Sequence, residues 1–393
     1  MILKKITKYA GSDEAPWTRL SSNANKLRFL GKLDASNSYN ECVGRIFRAA
    51  SGIGTIISYS DNNGVSWKNS NMNSAEIYGK LAIANEVGTV YSQMIIGSSK
   101  GLLHSGDNGQ SFSTVSNASI QQIGTVNCVA YVPKADGFLI GTNQGLYIYN
   151  KNGIQKVDWY GTNTINSICV DAINRIIYLC ISSASAHQRL GVWSINIDEL
   201  PYLSKLNDYI YQNAQSPLTD KEHQLNSVGE AKIGVLHLSP AGRLFVVPFG
   251  SNNFYYKDPG NTWVTKAILH PIDHTPQTVH ELYILSTGLM VMTGVVNYYY
   301  SSDGGDTWTR SNLTGVTTGY NYKNFDTMIE TNTQRLLAEI NLMNGGGGSY
   351  PDYGIWCSDT EYTEVCTKYL DQKGAQEIVT QFKAYCDNLV GGA

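Results

Sequence analysis

Charge is scarce in this chain: Asp, Glu, Lys and Arg make up 16% of its 393 residues, below the ~25% usual in globular proteins. The two signs nearly cancel, at a net −3. That balance leaves no basic footprint for nucleic acid or for an anionic membrane surface. No apolar run approaches the ~18 residues needed to span a bilayer. The N-terminal stretch MILKKITKYAGSDEAPW has lysines but not the apolar segment of a secretory signal. Seven cysteines (Cys42, Cys128, Cys169, Cys180, Cys357, Cys366 and Cys386) are scattered without a CxxC pair. They encode neither a structural zinc nor a dithiol centre, and read as reduced, mostly buried thiols. Gly345–Gly348 precedes neither a helix nor a Lys-Ser/Thr, so it is no phosphate loop. No cofactor is expected.

What remains is plentiful: 42% hydrophobic residues, enough for a real core, with 38 Gly and 26 Tyr. Four segments line up as repeats. They are Ser60-Asp-Asn-Asn-Gly-Val-Ser-Trp67, Ser105-Gly-Asp-Asn-Gly-Gln-Ser-Phe112, Tyr256-Lys-Asp-Pro-Gly-Asn-Thr-Trp263 and Ser301-Ser-Asp-Gly-Gly-Asp-Thr-Trp308. The shared pattern is Ser-x-Asp-x-Gly-x-Thr-aromatic. Asn62, Asp107, Asp258 and Asp303 stand where a carboxylate or amide accepts backbone N–H bonds inside a turn. Gly64, Gly109, Gly260 and Gly305 supply positive φ, and Trp67, Phe112, Trp263 and Trp308 start the next strand. These twelve residues are expected to be structural, each turn joining the third and outermost strands of one sheet.

The pattern resembles the Asp-box (BNR) repeat of sialidase-like β-propellers, with Asn62 and Tyr256 as departures. Spacing counts the blades. Trp67 to Phe112 and Trp263 to Trp308 are each 45 residues, and the 151 between Phe112 and Trp263 leave 16 beyond three such steps. Degenerate blades at Phe138–Val157 and Arg175–Ile197, an insertion near 201–232, and a last blade at Arg335–Val365 complete the count. The expected fold is all-β, a seven-bladed β-propeller over residues 1–366 that begins its first blade at Leu27. Trp17–Leu20 is expected to close the last blade. Residues 367–393 form a separate segment. Within it Ala375, Ile378, Phe382, Tyr385 and Leu389 make an apolar helical stripe for anchoring or oligomerisation.

Sialidase-like enzymes work on the face opposite the Asp-box turns, so the resemblance directs attention there. It also implies three arginines, a Tyr–Glu pair and an acid, and no arginine triad can be assembled. Arg175, Arg243 and Arg335 recur before second strands, on the Asp-box face. Other glycosidases need two carboxylates ~5–10 Å apart, for which only Asp326, Glu339 and Asp352 offer themselves. His270, Asp273, His274 and His280 fall around Pro271 and Pro276, which breaks the helical spacing a metal pair needs. Tyrosine-rich stretches at Tyr298–Tyr300, Tyr320, Tyr322, Tyr350 and Tyr353 suit a recognition surface. The expected ligand-binding residues are Arg48, His187, Arg189, Tyr298, Tyr350, Asp352 and Tyr353; no catalytic and no metal residues are named.

The run Leu370-Asp-x-x-Gly374, followed by Phe382-Lys-Ala-Tyr385-x-Asp387, is similar to short helical segments of phage and prophage tail and fibre proteins. Low charge and abundant Asn, Ser, Gly and Tyr match such proteins. The resemblance implies a non-enzymatic virion component, made in the host cytoplasm. It would bind other virion proteins or itself through the C-terminal helix, and a host-surface glycan through the propeller. A carbohydrate-active enzyme on the same scaffold and a cytosolic assembly factor are the competing expectations.

Overall fold

The computed structural model describes residues 2–8, 17–23, 26–33, 44–50, 52, 54–84, 93–132, 137–157, 164–182, 191–197, 234–248, 251–269, 277–294, 298–311, 316, 322–331, 334–343, 352–359 and 361–366. The chain opens with β1 (Ile2–Lys8) and β2 (Trp17–Asn23). Blade 1 is β3 (Leu27–Lys32), β4 (Ile46–Ala50), β5 (Ser58–Ser60) and β6 (Lys68–Asn69). Blade 2 is β7 (Ile77–Ala84), β8 (Gln93–Ser98), β9 (Gly101–Ser105) and β10 (Ser113–Thr114). Blade 3 is β11 (Val126–Val132), β12 (Gly137–Thr142), β13 (Gly145–Asn150) and β14 (Gly153–Val157). Blade 4 shows three strands among the described residues, β15 (Thr164–Asp171), β16 (Ile176–Ser182) and β17 (Gly191–Asn196). Blade 5 is β18 (Val235–Leu238), β19 (Leu244–Val247), β20 (Asn253–Lys257) and β21 (Val264–Ala267). Blade 6 is β22 (Val279–Ile284), β23 (Met290–Gly294), β24 (Tyr298–Ser301) and β25 (Thr309–Arg310). Blade 7 takes β26 (Tyr322–Glu330), β27 (Arg335–Met343) and β28 (Asp352–Asp359) from the end of the chain, with β2 as its outer strand.

The expected seven blades, the start at Leu27 and the closing strand from Trp17 are all present. One expectation needs correcting. The stretch Glu361–Cys366, read as part of the last blade, forms β29, leaves that sheet and pairs antiparallel with β1. With β2 already hydrogen-bonded along β28, no edge of blade 7 is left for it on that side. The insertion near 201–232 and the C-terminal segment 367–393 lie outside the described residues.

Seven apolar clusters fill the seven seams between blades. Adjacent residues of one second strand serve different seams: Ile46 packs against blade 7, and Phe47 against blade 2. Because both faces of these sheets are covered, their strands read as near-continuous apolar runs such as Phe138–Ile140 and Leu244–Val247.

Three of the four repeated turns share one hydrogen-bond scheme. In the turn of blade 6, the Ser301 hydroxyl accepts from Gly305 N at 2.9 Å and donates to Asp303 at 2.7 Å. Asp303 in turn accepts the backbone N–H groups of Asp306 and Thr307. Ser105 with Asp107, and Ser60 with Asn62, repeat the arrangement. The following aromatic packs into the seam with the preceding blade, and Trp67 and Trp308 each donate their indole N–H to the turn glycine's carbonyl at 3.0 Å.

Burial opposes ionisation of Asp303, but the hydrogen bonds from Thr307, Ser301 and Asp306 outweigh it and hold its pKa at about 2, below the ordinary 3.8. A depressed carboxylate contributes stability that is whole above its unfolded pKa and lost as pH falls through the folded one. The thermal midpoint of Asp303→Asn should therefore fall below that of the native chain at pH 6. The gap should close between about pH 4 and pH 2; a gap that persisted unchanged at pH 2 would refute the assignment.

Candidate site at the seam of blades 4 and 5

First-to-second and third-to-fourth connections emerge on the same face of each antiparallel blade, so the repeated turns lie beside the entries to the second strands. Arg45, one residue before β4, uses that proximity. It donates to Asp61 at 2.6 Å and to the carbonyl of Asn108 in the next blade's turn at 2.9 Å, and it lies 4.3 Å over the Tyr59 ring. Arg243, one residue before β19, repeats each contact with Asp258 at 2.7 Å, Gly304 O at 2.7 Å and Tyr256 at 4.2 Å. Each arginine thus clips its own blade to the next turn. Beneath those turns Phe47 and Phe245 pack so closely that a Cβ on Gly109 or Gly305 would come within 2.3 and 3.1 Å of them.

The turn of blade 5 departs from this scheme. Strand register pairs Tyr256 with Phe245 as Tyr59 pairs with Phe47, so Asp258 corresponds to Asp61 and not to Asn62. The turn is one residue shorter, with Pro259 inside it. The expectation that Asp258 wraps the turn is therefore corrected: its carboxylate is taken by Arg243, at 2.7 and 3.2 Å. The signal was present in the sequence, because counting from the aromatic before the turn gives one residue fewer between Tyr256 and Trp263 than between Tyr59 and Trp67.

Blade 4, which packs against this turn, also breaks the pattern. Tyr178 is its seam-facing counterpart of Phe47, which puts Ile176, not Arg175, at the place of the clipping arginine. No guanidinium fills the space, a Cβ on Gly260 would meet nothing within 4 Å, and a cavity of about 510 Å³ opens there. Ile176, Tyr178, Val192 and Ser194 line it from blade 4, and Leu244, Lys257 and Trp263 from blade 5. Among the described residues, the Trp263 indole N–H, the Ser194 and Tyr178 hydroxyls and the Lys257 ammonium make no hydrogen bond or ion pair within the protein. The carboxylates nearby are occupied, Asp258 by Arg243 and Asp171 by the backbone and side chain of Asn174. Burial, with Asp171 and Cys169 adding to it, raises the Tyr178 pKa, so this hydroxyl stays a donor.

Of the residues expected to bind a ligand on the other face, the structure describes the side chains of Tyr298 and Arg48. Tyr298 is fully buried in the seam of blades 6 and 7, where its hydroxyl accepts from Trp17 Nε1 at 3.0 Å and its ring meets Phe325. It cannot present itself to a ligand. The amphipathic ring that suits a surface is satisfied as well in a core that offers one donor. Arg48 is half-buried between blades 7 and 1, stacked 4.2 Å over Trp67. Burial lowers its pKa, and the charge of Glu339 opposes that shift. Glu339, read as a possible acid, is fully buried and accepts the Leu27 N–H with both oxygens, at 2.8 and 2.9 Å. It is unavailable as half of a carboxylate pair. Asp352 and Tyr353 begin β28, and Asp326 sits at a bulge of β26. His187, Arg189, Tyr350, His270, Asp273 and His274 lie outside the described residues.

No described group of three or more His, Cys, Asp or Glu side chains could hold a metal ion. Burial pushes the Cys128 and Cys180 thiols far above their ordinary range and Cys169 to about 12. None of these three is poised as a nucleophile.

No protein-family profile and no curated protein sequence matches the chain. Solved structures do. YCF48 bound to D1 peptide superposes with a TM-score of 0.55 at 13% identity, over 93% of this chain and all of that one. YCF48 from Cyanidioschyzon merolae gives 0.54 at 11%, over 88% and 99% of the two chains. The extracellular domain of a B. thetaiotaomicron hybrid two-component system gives 0.53 at 12%, over 90% of this chain and 44% of that one. The chain has the fold of these propellers. At such identities the likeness extends to the fold alone.

Proposed function

We propose that the chain is a non-enzymatic recognition protein, a tail, fibre or appendage component of a phage particle. The observation that carries the recognition reading is the contrast between spent acids and unspent donors. Asp107, Asp258, Asp303 and Glu339 are bound to backbone N–H groups, hydroxyls or arginine, whereas the seam of blades 4 and 5 offers donors with no partner among the described residues. A glycosidase needs two free carboxylates, one to donate and one to attack or activate water. A binding site needs only shape and a few placed polar groups. On this reading the three regular turns are Asp boxes that stiffen the blades, and residues 367–393 are the anchoring helix. YCF48 with its bound D1 peptide lends support, since it is a propeller of this shape at work as a binding platform. The phage assignment rests on composition and on the Leu370–Asp387 resemblance.

Incubating the full chain with host-surface polysaccharide tests both parts. Saturable binding without new reducing ends is the expected result, with the protein detected by antibody on intact particles. Release of oligosaccharides would replace this reading with the depolymerase one, and absence from purified particles would remove the virion assignment.

A further inference from the structure

We propose that the cavity between blades 4 and 5 seats an extended peptide segment of another protein, with one neutral side chain inserted. This adds a protein partner to the recognition reading and stands apart from any glycan. The pattern for it lies elsewhere in the same molecule. Between blades 1 and 2, Ser70 and Asn71 cross the blade 2 turn as a short piece of extended chain. Asn71 forms a parallel bridge with Ser111: its N–H donates to Gln110 O at 2.7 Å, and its carbonyl accepts from Phe112 N at 3.1 Å. Ser70 donates its hydroxyl to Gly109 O at 2.6 Å and its N–H to Ile57 O of blade 1 at 2.9 Å. One dipeptide thus joins two blades.

The same groups recur at the cavity without their dipeptide. From glycine to aromatic, Gly260-Asn261-Thr262-Trp263 keeps the spacing of Gly109-Gln110-Ser111-Phe112. Among the described residues, Gly260 O, Asn261 O and Trp263 N make no hydrogen bond, and Gly260 and Trp263 line the cavity. On the blade 4 side, Ser194 pairs with Tyr178 as Tyr59 pairs with Phe47, which puts Val192 at the place of Ile57. Val192 lines the cavity too. A backbone laid across this gap gains the main-chain hydrogen bonds of strand addition, and the pocket beside it sets which side chain fits. A side chain at the place of Ser70 would turn toward Gly260, where a Cβ meets nothing within 4 Å. Ile176, Val192 and Leu244 give it apolar walls, while Trp263, Tyr178 and Ser194 offer donors. Three carboxylates (Asp171, Asp258 and Asp306) stand near two cations (Arg243 and Lys257), so the seam draws neither sign strongly. A neutral side chain ended by a carbonyl, as in glutamine, suits both the walls and the donors.

Calorimetric titration of the full chain with capped pentapeptides tests this. The probe copies Lys68–Met72 with glutamine in the place of Ser70, and it should bind saturably. The unaltered copy leaves the cavity unfilled and should bind about ten-fold more weakly. N-methylation at the place of Asn71 removes the donor to Asn261 O and should also cost about ten-fold. Ile176→Arg supplies the arginine that Arg45 gives to the seam of blades 1 and 2, and should abolish binding. Ser194→Leu narrows the cavity from β17 and should do the same. No saturable binding of the glutamine peptide, equal binding of its N-methylated form, or binding undiminished in both variants would overturn the seat. Polysaccharide binding is measured on its own, so its presence would leave the recognition reading standing where the peptide fails.

Discussion

Replacing Gly109 by alanine should destabilise the chain by about 3 kcal/mol, and replacing Gly260 by alanine by only about 1 kcal/mol. Both glycines belong to the repeated turns and both have left-handed backbone, at φ +75° and +77°. An L-residue in that conformation costs roughly 1–2 kcal/mol wherever it occurs. The two differ in what lies beneath. A Cβ at 109 would come to 2.3 Å from Phe47 Cε1, and Phe47 is fully buried between two sheets with no room to retreat. A Cβ at 260 would point into the open seam. Overpacking a closed site adds roughly 1–3 kcal/mol that an open one does not impose. Urea unfolding of the two variants, compared at constant m, measures the difference. Equal losses would mean that the blade 5 turn sits on blade 4 as tightly as its counterparts do, and that the cavity is closed in solution.

The fold was legible because the turns are local. Ser60 to Trp67 or Ser301 to Trp308 contains every group that its hydrogen bonds need, so short-range chemistry announces each blade and spacing counts them. The candidate site was harder to read for the opposite reason: it is defined by a missing arginine, which appears only once strands are paired, and by a missing residue, which only the count from Tyr256 to Trp263 records. Arg175 looked equivalent to Arg243 by position in the repeat, yet the register leaves Ile176 facing the seam. Arg45, which does occupy the equivalent place, precedes an unremarkable strand. Tyr298 misled because a tyrosine's sequence context does not say whether its hydroxyl meets water or the indole of Trp17, 281 residues away. The pairing of β29 with β1 joins the two ends of the chain in the same way, beyond the reach of any periodicity.

Glu339→Ala should produce the largest loss attributable to a single charge, about 3–5 kcal/mol. This carboxylate stands at the seam where the ring closes. Blade 7 is built from both ends of the chain, and Glu339 on its second strand holds the first residue of blade 1's inner strand, 312 positions earlier. Thr327 adds a second stitch to Leu30 N at 3.1 Å. Removing the carboxylate leaves the Leu27 N–H buried without its acceptor, and leaves Arg48 half-buried over Trp67 without its nearby counter-charge. Both penalties fall on the folded state alone, which is why breaking such an arrangement costs more than building it contributes. Glu339→Gln keeps an acceptor for Leu27 and discards only the charge, so it should cost less than the alanine variant. Arg48→Met should cost less again, since a flexible apolar chain can still cover Trp67. The double variant Glu339→Gln with Arg48→Met should then be more stable than the two single losses added together, because each removes the other's reason for being charged. Strict additivity would show that Glu339 acts on Leu27 alone and that its charge is not coupled to Arg48.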